Sequence, residues 1–171
     1  MVFTLKDSYH GAVTKYADNL YVFGSNESVF FHGDFVITER DGQYSLFKYI
    51  GEGGNITLPS EMVYKGNTIS HYQICEGVFS ANPDITSVTI PDDVSFIGNS
   101  AFSGCTSLTS VVIESSVTSI GVRAFFGCTV LDSLVIGNGV STISEQAFSG
   151  CTALTSVTIP ISVTFVGSSA F

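Results

Sequence analysis

The sequence is poor in charged residues, and basic residues are the scarcest of all. Charged residues make up 12% of the 171 positions, and six Lys or Arg stand against fifteen Asp or Glu, for a net charge of −9. Binding to nucleic acid needs a basic patch that displaces phosphate counterions. We therefore expect no nucleic-acid partner.

Long hydrophobic runs are also missing, although hydrophobic residues make up 44% of the chain and indicate a folded domain. No apolar run approaches the ~20 residues of a membrane-spanning helix. The first residues, MVFTLKDSYH, show no basic stretch followed by an apolar core, so no signal peptide is visible. The sequence predicts a folded domain without a membrane span.

Residues typical of catalytic or metal sites are few and scattered. None of His10, His32 and His71 has a sequence neighbour that makes a nucleophile or a metal pairing compelling. The four cysteines include no short-spaced pair of the kind that binds zinc. We expect no catalytic residues, no cofactor and no metal. An enzyme carried by residues 1–55 is the remaining alternative.

Repetition is what the sequence has in abundance. An Ala-Phe pair recurs at a constant step of 23 residues (125 − 102, 148 − 125, 171 − 148), with its phenylalanines at Phe102, Phe125, Phe148 and Phe171. A less regular first copy begins near Ile74 and places Phe79 at the same step (102 − 79). A fixed period in this range is typical of a solenoid, whose units bury their apolar faces only against their neighbours.

Positions within one copy have predictable roles. Val111 and Ile113 alternate with Val112 as in a β-strand. Val117 and Ile120 form a second apolar pair, and the segment VRAFFGC after Gly121 is long enough for about one helical turn. We expect the repeated phenylalanines to stack in one aromatic spine made of Phe79, Phe102, Phe125, Phe148 and Phe171.

Three of the four cysteines share the repeat step (128 − 105, 151 − 128), at Cys105, Cys128 and Cys151. Asn82 takes the same position one copy earlier (105 − 82). A cysteine that alternates with Asn along a repeat behaves as a small buried filler, so free thiols are the favoured interpretation. Stacked repeats lie ~4.8 Å apart, which leaves a disulfide between neighbours open, and a metal site is the third alternative.

The residues before the repeats are predicted to form an irregular lead-in of β-hairpins that covers the first repeat. Short strands are predicted at 20–23 and 28–31, on either side of GSNE. Asp41-Gly42 favours a tight hairpin turn, and Gly66-Asn67 suggests another. The predicted organisation is a lead-in and cap over residues 1–73, followed by repeats over residues 74–171 in an array open at its C-terminus.

The segment VTSIGVRAFFGCTVLDSLVI (residues 117–136) and its copies resemble the BspA-like leucine-rich repeat, also described as the Treponema pallidum type. The resemblance covers roughly residues 74–171. It implies a curved, β-rich leucine-rich-repeat solenoid with short helical turns and one continuous parallel sheet. It also implies a secreted or cell-surface protein used in adhesion and protein recognition. The family motif contains no catalytic residues, so none is carried over.

The exposed face of the predicted sheet carries small uncharged side chains, and it is either simply solvated or a docking platform for a protein or glycan partner. Adjacent Val112 and Val135 favour docking, because they begin an apolar patch. Phe96 and Phe165 are candidate surface aromatics. The predicted contact residues are Ser110, Val112, Ser133, Val135, Ser156 and Thr158. Phe96 and Phe165, which hold the repeat position of Ser119 and Thr142, are added to them as surface aromatics.

Two functions follow from these expectations. The preferred one is a non-enzymatic interaction or adhesion module that binds a macromolecular partner through the sheet face. The alternative is a structural spacer or assembly subunit that packs end to end through an uncapped C-terminal repeat, because a solenoid end without a cap invites pairing with another chain.

Overall fold

The protein is described by a computed structural model, which covers the backbone of residues 3–6, 11–16, 19–24 and 27–171 and the side chains of residues 28–171. These residues form seventeen strands and no helix. The strands of the lead-in are β1 (Phe3–Lys6), β2 (Gly11–Tyr16), β3 (Asn19–Gly24), β4 (Glu27–His32), β5 (Phe35–Arg40), β6 (Gln43–Tyr49), β7 (Gly54–Thr57), β8 (Met62–Tyr64) and β9 (Asn67–Ile69). The strands that follow are β10 (Tyr72–Ile74), β11 (Ile85–Ile90), β12 (Val94–Ile97), β13 (Ser110–Ile113), β14 (Ser119–Ile120), β15 (Ser133–Ile136), β16 (Thr142–Ile143) and β17 (Phe165–Val166).

The repeats build two parallel sheets, which confirms the solenoid. The first sheet has the order β15-β13-β11-β7, and the second has the order β17-β16-β14-β12-β10-β6-β5-β4. The second sheet is parallel from β17 to β6, and its last three strands, β6, β5 and β4, pair antiparallel. Equivalent residues pair in register, as Ser87 does with Ser110 and Ser110 with Ser133. One continuous sheet was expected from the sequence. The second sheet arises because Ile120, the second member of the apolar pair with Val117, lies in the short strand β14, which pairs in parallel with β12 and β16.

The third side of each repeat is a turn face, which we define as residues 98–104, 121–127 and 144–150. The predicted helical turn in this segment is wrong. Alternate N–H groups, such as those of Ala124 and Phe126, close turns onto the carbonyls of Gly121 and Arg123. The N–H groups between them, such as that of Phe125, donate instead to carbonyls of the next repeat. Positive φ angles of 55° at Arg123 and 69° at Gly127 prevent a right-handed helix from forming.

Backbone bonds between repeats run in opposite directions on different sides of the solenoid. On the turn face the earlier repeat donates, as in the 2.7 Å bond from Phe102 N to Ala124 O. At the ends of the strands the later repeat donates, as in the 2.8 Å bond from Thr109 N to Thr86 O. Each layer is therefore held to its neighbours by bonds of both directions.

The aromatic spine is confirmed. Consecutive rings are nearly parallel, with centroid separations of 4.6, 5.0, 5.1 and 5.3 Å along Phe79, Phe102, Phe125, Phe148 and Phe171. Tyr49 of the lead-in continues the row at 5.2 Å from Phe79. Full burial of one such ring contributes roughly 1.5–3 kcal/mol, so the spine is a principal part of the core.

None of the four cysteines forms a disulfide, and Cys105, Cys128 and Cys151 are buried, as expected from the sequence. Each Sγ contacts the carbonyl oxygen of a phenylalanine in the preceding repeat, as Cys105 does with Phe79 at 3.1 Å. Burial raises the pKa of Cys105 to about 11. The hydrogen bond to the thiol of Cys151, together with burial, raises the pKa of Cys128. These surroundings favour the neutral thiol at Cys105 and Cys128.

The lead-in joins the solenoid instead of standing apart from it. β6 pairs in parallel with β10 and β7 with β11, so both sheets continue into the lead-in. The buried side chains of Leu46, Ile56 and Leu58 belong to the same core as the repeats. The buried hydroxyl of Tyr72 donates to the carbonyl of Pro59 at 2.8 Å and fixes the segment between the two parts. The boundary at residue 73 stays a prediction.

The predicted turns of the lead-in are partly correct. Strands β5 and β6 form the hairpin expected at Asp41-Gly42, with φ angles of 52° and 78°. The β8–β9 hairpin turns at Lys65 and Gly66, with φ angles of 50° and 80°. The expectation of a turn at Gly66-Asn67 was therefore one residue late. The predicted strands at 20–23 and 28–31 lie within β3 and β4.

Candidate functional site

The outward face of the first sheet brings together four of the predicted contact residues. Alternation along β13 buries Val111 and Ile113 and turns Ser110 and Val112 outwards. Ser110 pairs with Ser133, and Val112 pairs with Val135. Ser110 and Val112 are half-buried, Ser133 is exposed, and 54% of Val135 is exposed. We call these four residues the sheet-face patch.

Ser156 and Thr158 do not join this patch through strand pairing. Both side chains are exposed, but residues 156–160 form no strand, and the first sheet ends at β15. The repeat pattern alone predicted a further strand here, because Ser156 follows Ser133 at the same step (156 − 133).

Phe96 and Phe165 lie on the second sheet, away from the sheet-face patch. They occupy β12 and β17, in the row Phe96, Ser119, Thr142 and Phe165. Phe96 is half-buried and Phe165 is 57% exposed. Three strand spacings of about 4.8 Å separate the two rings by about 14 Å. The two phenylalanines therefore form neither a pair with each other nor a single surface with Val112 and Val135.

Hydroxyl groups of the repeats fall into two classes. The hydroxyls at the edge of the second sheet are structural, because each donates a hydrogen bond of 3.0–3.3 Å to a backbone carbonyl of the preceding repeat. These hydroxyls belong to Ser95, Thr118, Ser141 and Thr164. The hydroxyls of Ser110 and Ser133 make no hydrogen bond to any part of the chain that the structure describes. Their donors and acceptors are free for a ligand.

The sheet-face patch is uncharged but has acidic borders. Exposed Asp132 directly precedes β15, and exposed Glu114 directly follows β13. Residues 74–171 contain one basic residue, Arg123, and seven acidic residues: Glu76, Asp84, Asp92, Asp93, Glu114, Asp132 and Glu145. The array therefore presents a negative surface around a neutral strip.

A second surface feature was missed by the sequence analysis. Val122 and Phe126 on the turn face are 39% and 38% exposed, and Arg123 lies over the Phe126 ring. The sequence did mark this feature by a departure from the repeat. The position of Phe126 is taken by Ser103 in the copy before and by Ser149 in the copy after (126 − 103, 149 − 126).

The residues weighed for chemistry remain apart. His32 and His71 are exposed, and His10 lies outside the described residues. Within the described ranges no three His, Cys, Asp or Glu side chains are grouped so that they could hold a metal ion. No helix in this part of the chain has the length and apolarity to cross a membrane.

The in-register strands, the two parallel sheets and the ring spine define a leucine-rich repeat solenoid. The family described as BspA type leucine rich repeat region (6 copies) matches residues 70–171. The chain belongs to this family. Leucine-rich repeat proteins are generally non-enzymatic interaction scaffolds, and members of the BspA-like family are typically cell-surface proteins.

Solved structures of bacterial proteins support the assignment. A leucine-rich cell surface protein from Faecalibacterium prausnitzii is similar at 33% identity and a TM-score of 0.73, over 84% of this chain and 40% of that one. The T. pallidum leucine-rich repeat protein has 28% identity and a TM-score of 0.67, over 84% and 62%. A leucine-rich repeat protein from Bacteroides capillosus has 25% identity and a TM-score of 0.65, over 82% and 99%.

This chain therefore spans less than two thirds of the length of the first two structures. No curated protein matches it.

Proposed function

We propose that this chain is a secreted or cell-surface interaction module that binds a protein partner through the sheet-face patch. The observation that carries the proposal is Val135, which is 54% exposed beside Val112. The same position holds Thr89 and Thr158 in other copies, so the fold does not require an apolar side chain there. Two adjacent valines facing water begin the kind of patch that marks binding sites.

Charge and hydrogen bonding suggest the chemistry of the partner. The patch offers two valines and the free hydroxyls of Ser110 and Ser133, between acidic borders at Asp132 and Glu114. A complementary protein surface has a small apolar centre, neutral polar groups beside it and basic residues at its rim. Complementary charge of this kind accelerates association and excludes acidic competitors.

The test replaces Val112 and Val135 together with Arg. The matched control is Ser119→Arg with Thr142→Arg, because these residues also pair between adjacent repeats but on the second sheet. A phage-displayed random peptide library selected on the wild-type protein supplies the probes. We expect the selected peptides to bind the Val112→Arg, Val135→Arg variant at least about tenfold more weakly, which corresponds to about 1.4 kcal/mol.

The control variant should bind the same peptides with wild-type affinity, and circular dichroism should show both variants folded. Peptides that bind both variants equally well would show that the sheet-face patch is not the binding surface. If a glycan array finds a ligand whose binding the two arginines abolish, the surface is retained and the partner is a glycan.

A specific observation also favours the second candidate function, an assembly subunit that packs end to end. A groove of about 350 Å³ lies beside the unpaired residues 156–160 and is lined in part by Phe148, Leu154, Val157 and Phe171. The pairing of exposed strand edges between chains is a common route to assembly.

Sedimentation velocity over a wide concentration range tests this second candidate. Association that grows with concentration and is abolished by Val157→Lys would support it. A wild-type protein that stays monomeric throughout would exclude it.

A further inference from the structure

The turn face of one repeat differs from its neighbours at three positions at once. Val122, Arg123 and Phe126, which we call the Arg123 cluster, are all exposed. Equivalent positions in the other copies are polar or small. The position of Val122 is taken by Asn99, Glu145 and Ser168 in other copies. The position of Arg123 is taken by Ser100, Gln146 and Ser169. The position of Phe126 is taken by Ser80, Ser103 and Ser149.

The guanidinium group of Arg123 is held from two sides. Its Cζ lies 5.5 Å from the centroid of the Phe126 ring, within the range of a cation–π contact. Its Nε donates to Oε1 of Gln146 in the next repeat at 2.6 Å. No carboxylate within residues 28–171 forms an ion pair with Arg123. The terminal nitrogens of a fixed guanidinium group are thus left for another acceptor.

The fold does not require these residues, and some of their features oppose it. The φ of 55° at Arg123 belongs to the fold, because Ser100, Gln146 and Ser169 adopt 52°, 54° and 52° at the equivalent positions, so the backbone does not select arginine there. Val122 and Phe126 expose apolar surface that Asn or Ser would not. Positions that break local preferences without a gain in packing are where functional constraints are expected.

We propose that the Arg123 cluster binds a carboxylate group of a protein segment that carries an apolar residue beside its Asp or Glu. The terminal nitrogens of Arg123 match the two oxygens of a carboxylate, and Phe126 and Val122 offer apolar contact to the neighbouring side chain. Arginine next to an aromatic residue is a common composition of binding hot spots.

Charge distribution argues for this occupant. Arg123 is the only basic residue in residues 74–171, which contain seven acidic ones. The acidic residues of the array would repel an acidic segment, and Arg123 would attract it. Both effects favour binding of such a segment at the Arg123 cluster. The cluster lies on a different face from the sheet-face patch, so the two proposals stand or fall separately.

The experiment is a titration followed through the arginine Nε–H signals in a nitrogen-15 NMR spectrum. The chain has two arginines, Arg40 and Arg123, so Arg40 serves as an internal control. The probe is a capped peptide with Asp between two Leu residues, and its matched partner has Asn in place of Asp. We expect a saturable shift of the Arg123 signal with little change at Arg40, and about tenfold weaker binding of the Asn peptide.

Two variants use residues that the neighbouring repeats already accommodate. Arg123→Gln introduces the residue of position 146, and Phe126→Ser introduces that of positions 103 and 149, so both should fold. Each should weaken binding of the Asp peptide at least several-fold, while Val112→Arg with Val135→Arg should leave it unchanged. The proposal is overturned if Arg40 and Arg123 shift alike, if the Asn peptide binds as well, or if no saturable shift occurs at millimolar peptide.

Discussion

Replacing Phe125 with Ala tests whether the ring spine carries the stability of the array. Phe125 is fully buried, and its ring lies 5.0 Å from that of Phe102 and 5.1 Å from that of Phe148. Truncation of a buried phenylalanine removes its transfer free energy and leaves a cavity, at a cost of about 3–5 kcal/mol. Two stacked pairs are lost at the same time, and each contributes up to about 1.5 kcal/mol within that range.

Two other phenylalanines provide a graded comparison. Among residues 28–171, Phe171 stacks on one ring only, at 5.3 Å, and is 48% exposed. Half of the burial free energy of a phenylalanine is about 1 kcal/mol, and Phe171→Ala should cost about that much. Phe126 is adjacent in sequence to Phe125 but lies outside the spine and is 38% exposed, so the same reckoning gives a cost of about 1–2 kcal/mol for Phe126→Ala.

Urea unfolding followed by circular dichroism gives the free energy of unfolding of each variant. For a domain of this size we expect Phe125→Ala to lower the midpoint of thermal unfolding by roughly 6–20 °C. A loss below about 1 kcal/mol for Phe125→Ala would contradict the reasoning. An equal loss for Phe126→Ala would do the same, because the spine would then be no more important than a surface ring.

The remaining predictions concern the joint with the lead-in and the buried thiols. Tyr72→Phe leaves the buried carbonyl of Pro59 without its 2.8 Å hydrogen bond, and urea unfolding should show a loss of about 1–2 kcal/mol; an unchanged free energy would mean that the bond does not stabilise the joint. The pKa of Cys105, about 11 in the folded state against an ordinary 9.0, means that the unfolded chain loses the thiol proton first as the pH rises. The stability that the protonated thiol of Cys105 contributes should be complete below pH 9 and should fall between about pH 9 and pH 11. In Cys105→Asn, which lacks this thiol, the free energy of unfolding should therefore decline less steeply over the same pH range than in the wild type.

The spine and the buried cysteines were predictable because each repeated position reports the same environment several times. Phe125 alone is an ordinary hydrophobic residue, but its copies at one step indicate a stacked column. The hairpin at Asp41-Gly42 was predictable for a different reason, since those two residues favour the backbone angles of a tight turn.

The second sheet and the turn face were harder to predict because their patterns are short or contradictory. Strand β14 has two residues, Ser119 and Ile120, too few to show alternation. The segment after Gly121 has the composition of a helix, but Arg123 adopts a left-handed angle that its side chain disfavours. A usable signal was Gly77, which holds the position of Ser100 one copy earlier (100 − 77) and has a φ of 67°.

The predicted contact residues show the limit of a repeat argument. A period places equivalent residues in one row, so Val112 and Val135 were correctly expected to be neighbours. It does not say on which side of the solenoid a row lies, and Phe96 and Phe165 proved to be on the second sheet. The Arg123 cluster was missed because its residues are exceptions to the period.

The opposite directions of the backbone bonds between repeats have an electrostatic consequence. In an α-helix all peptide dipoles point the same way and sum to partial charges at the two ends. In this solenoid, the column of bonds that includes Phe102 N to Ala124 O points towards later repeats, and the column that includes Thr109 N to Thr86 O points towards earlier ones. The two columns largely cancel, as strand dipoles do in a sheet. An array of this kind can therefore be lengthened by whole repeats without building up charge at its ends.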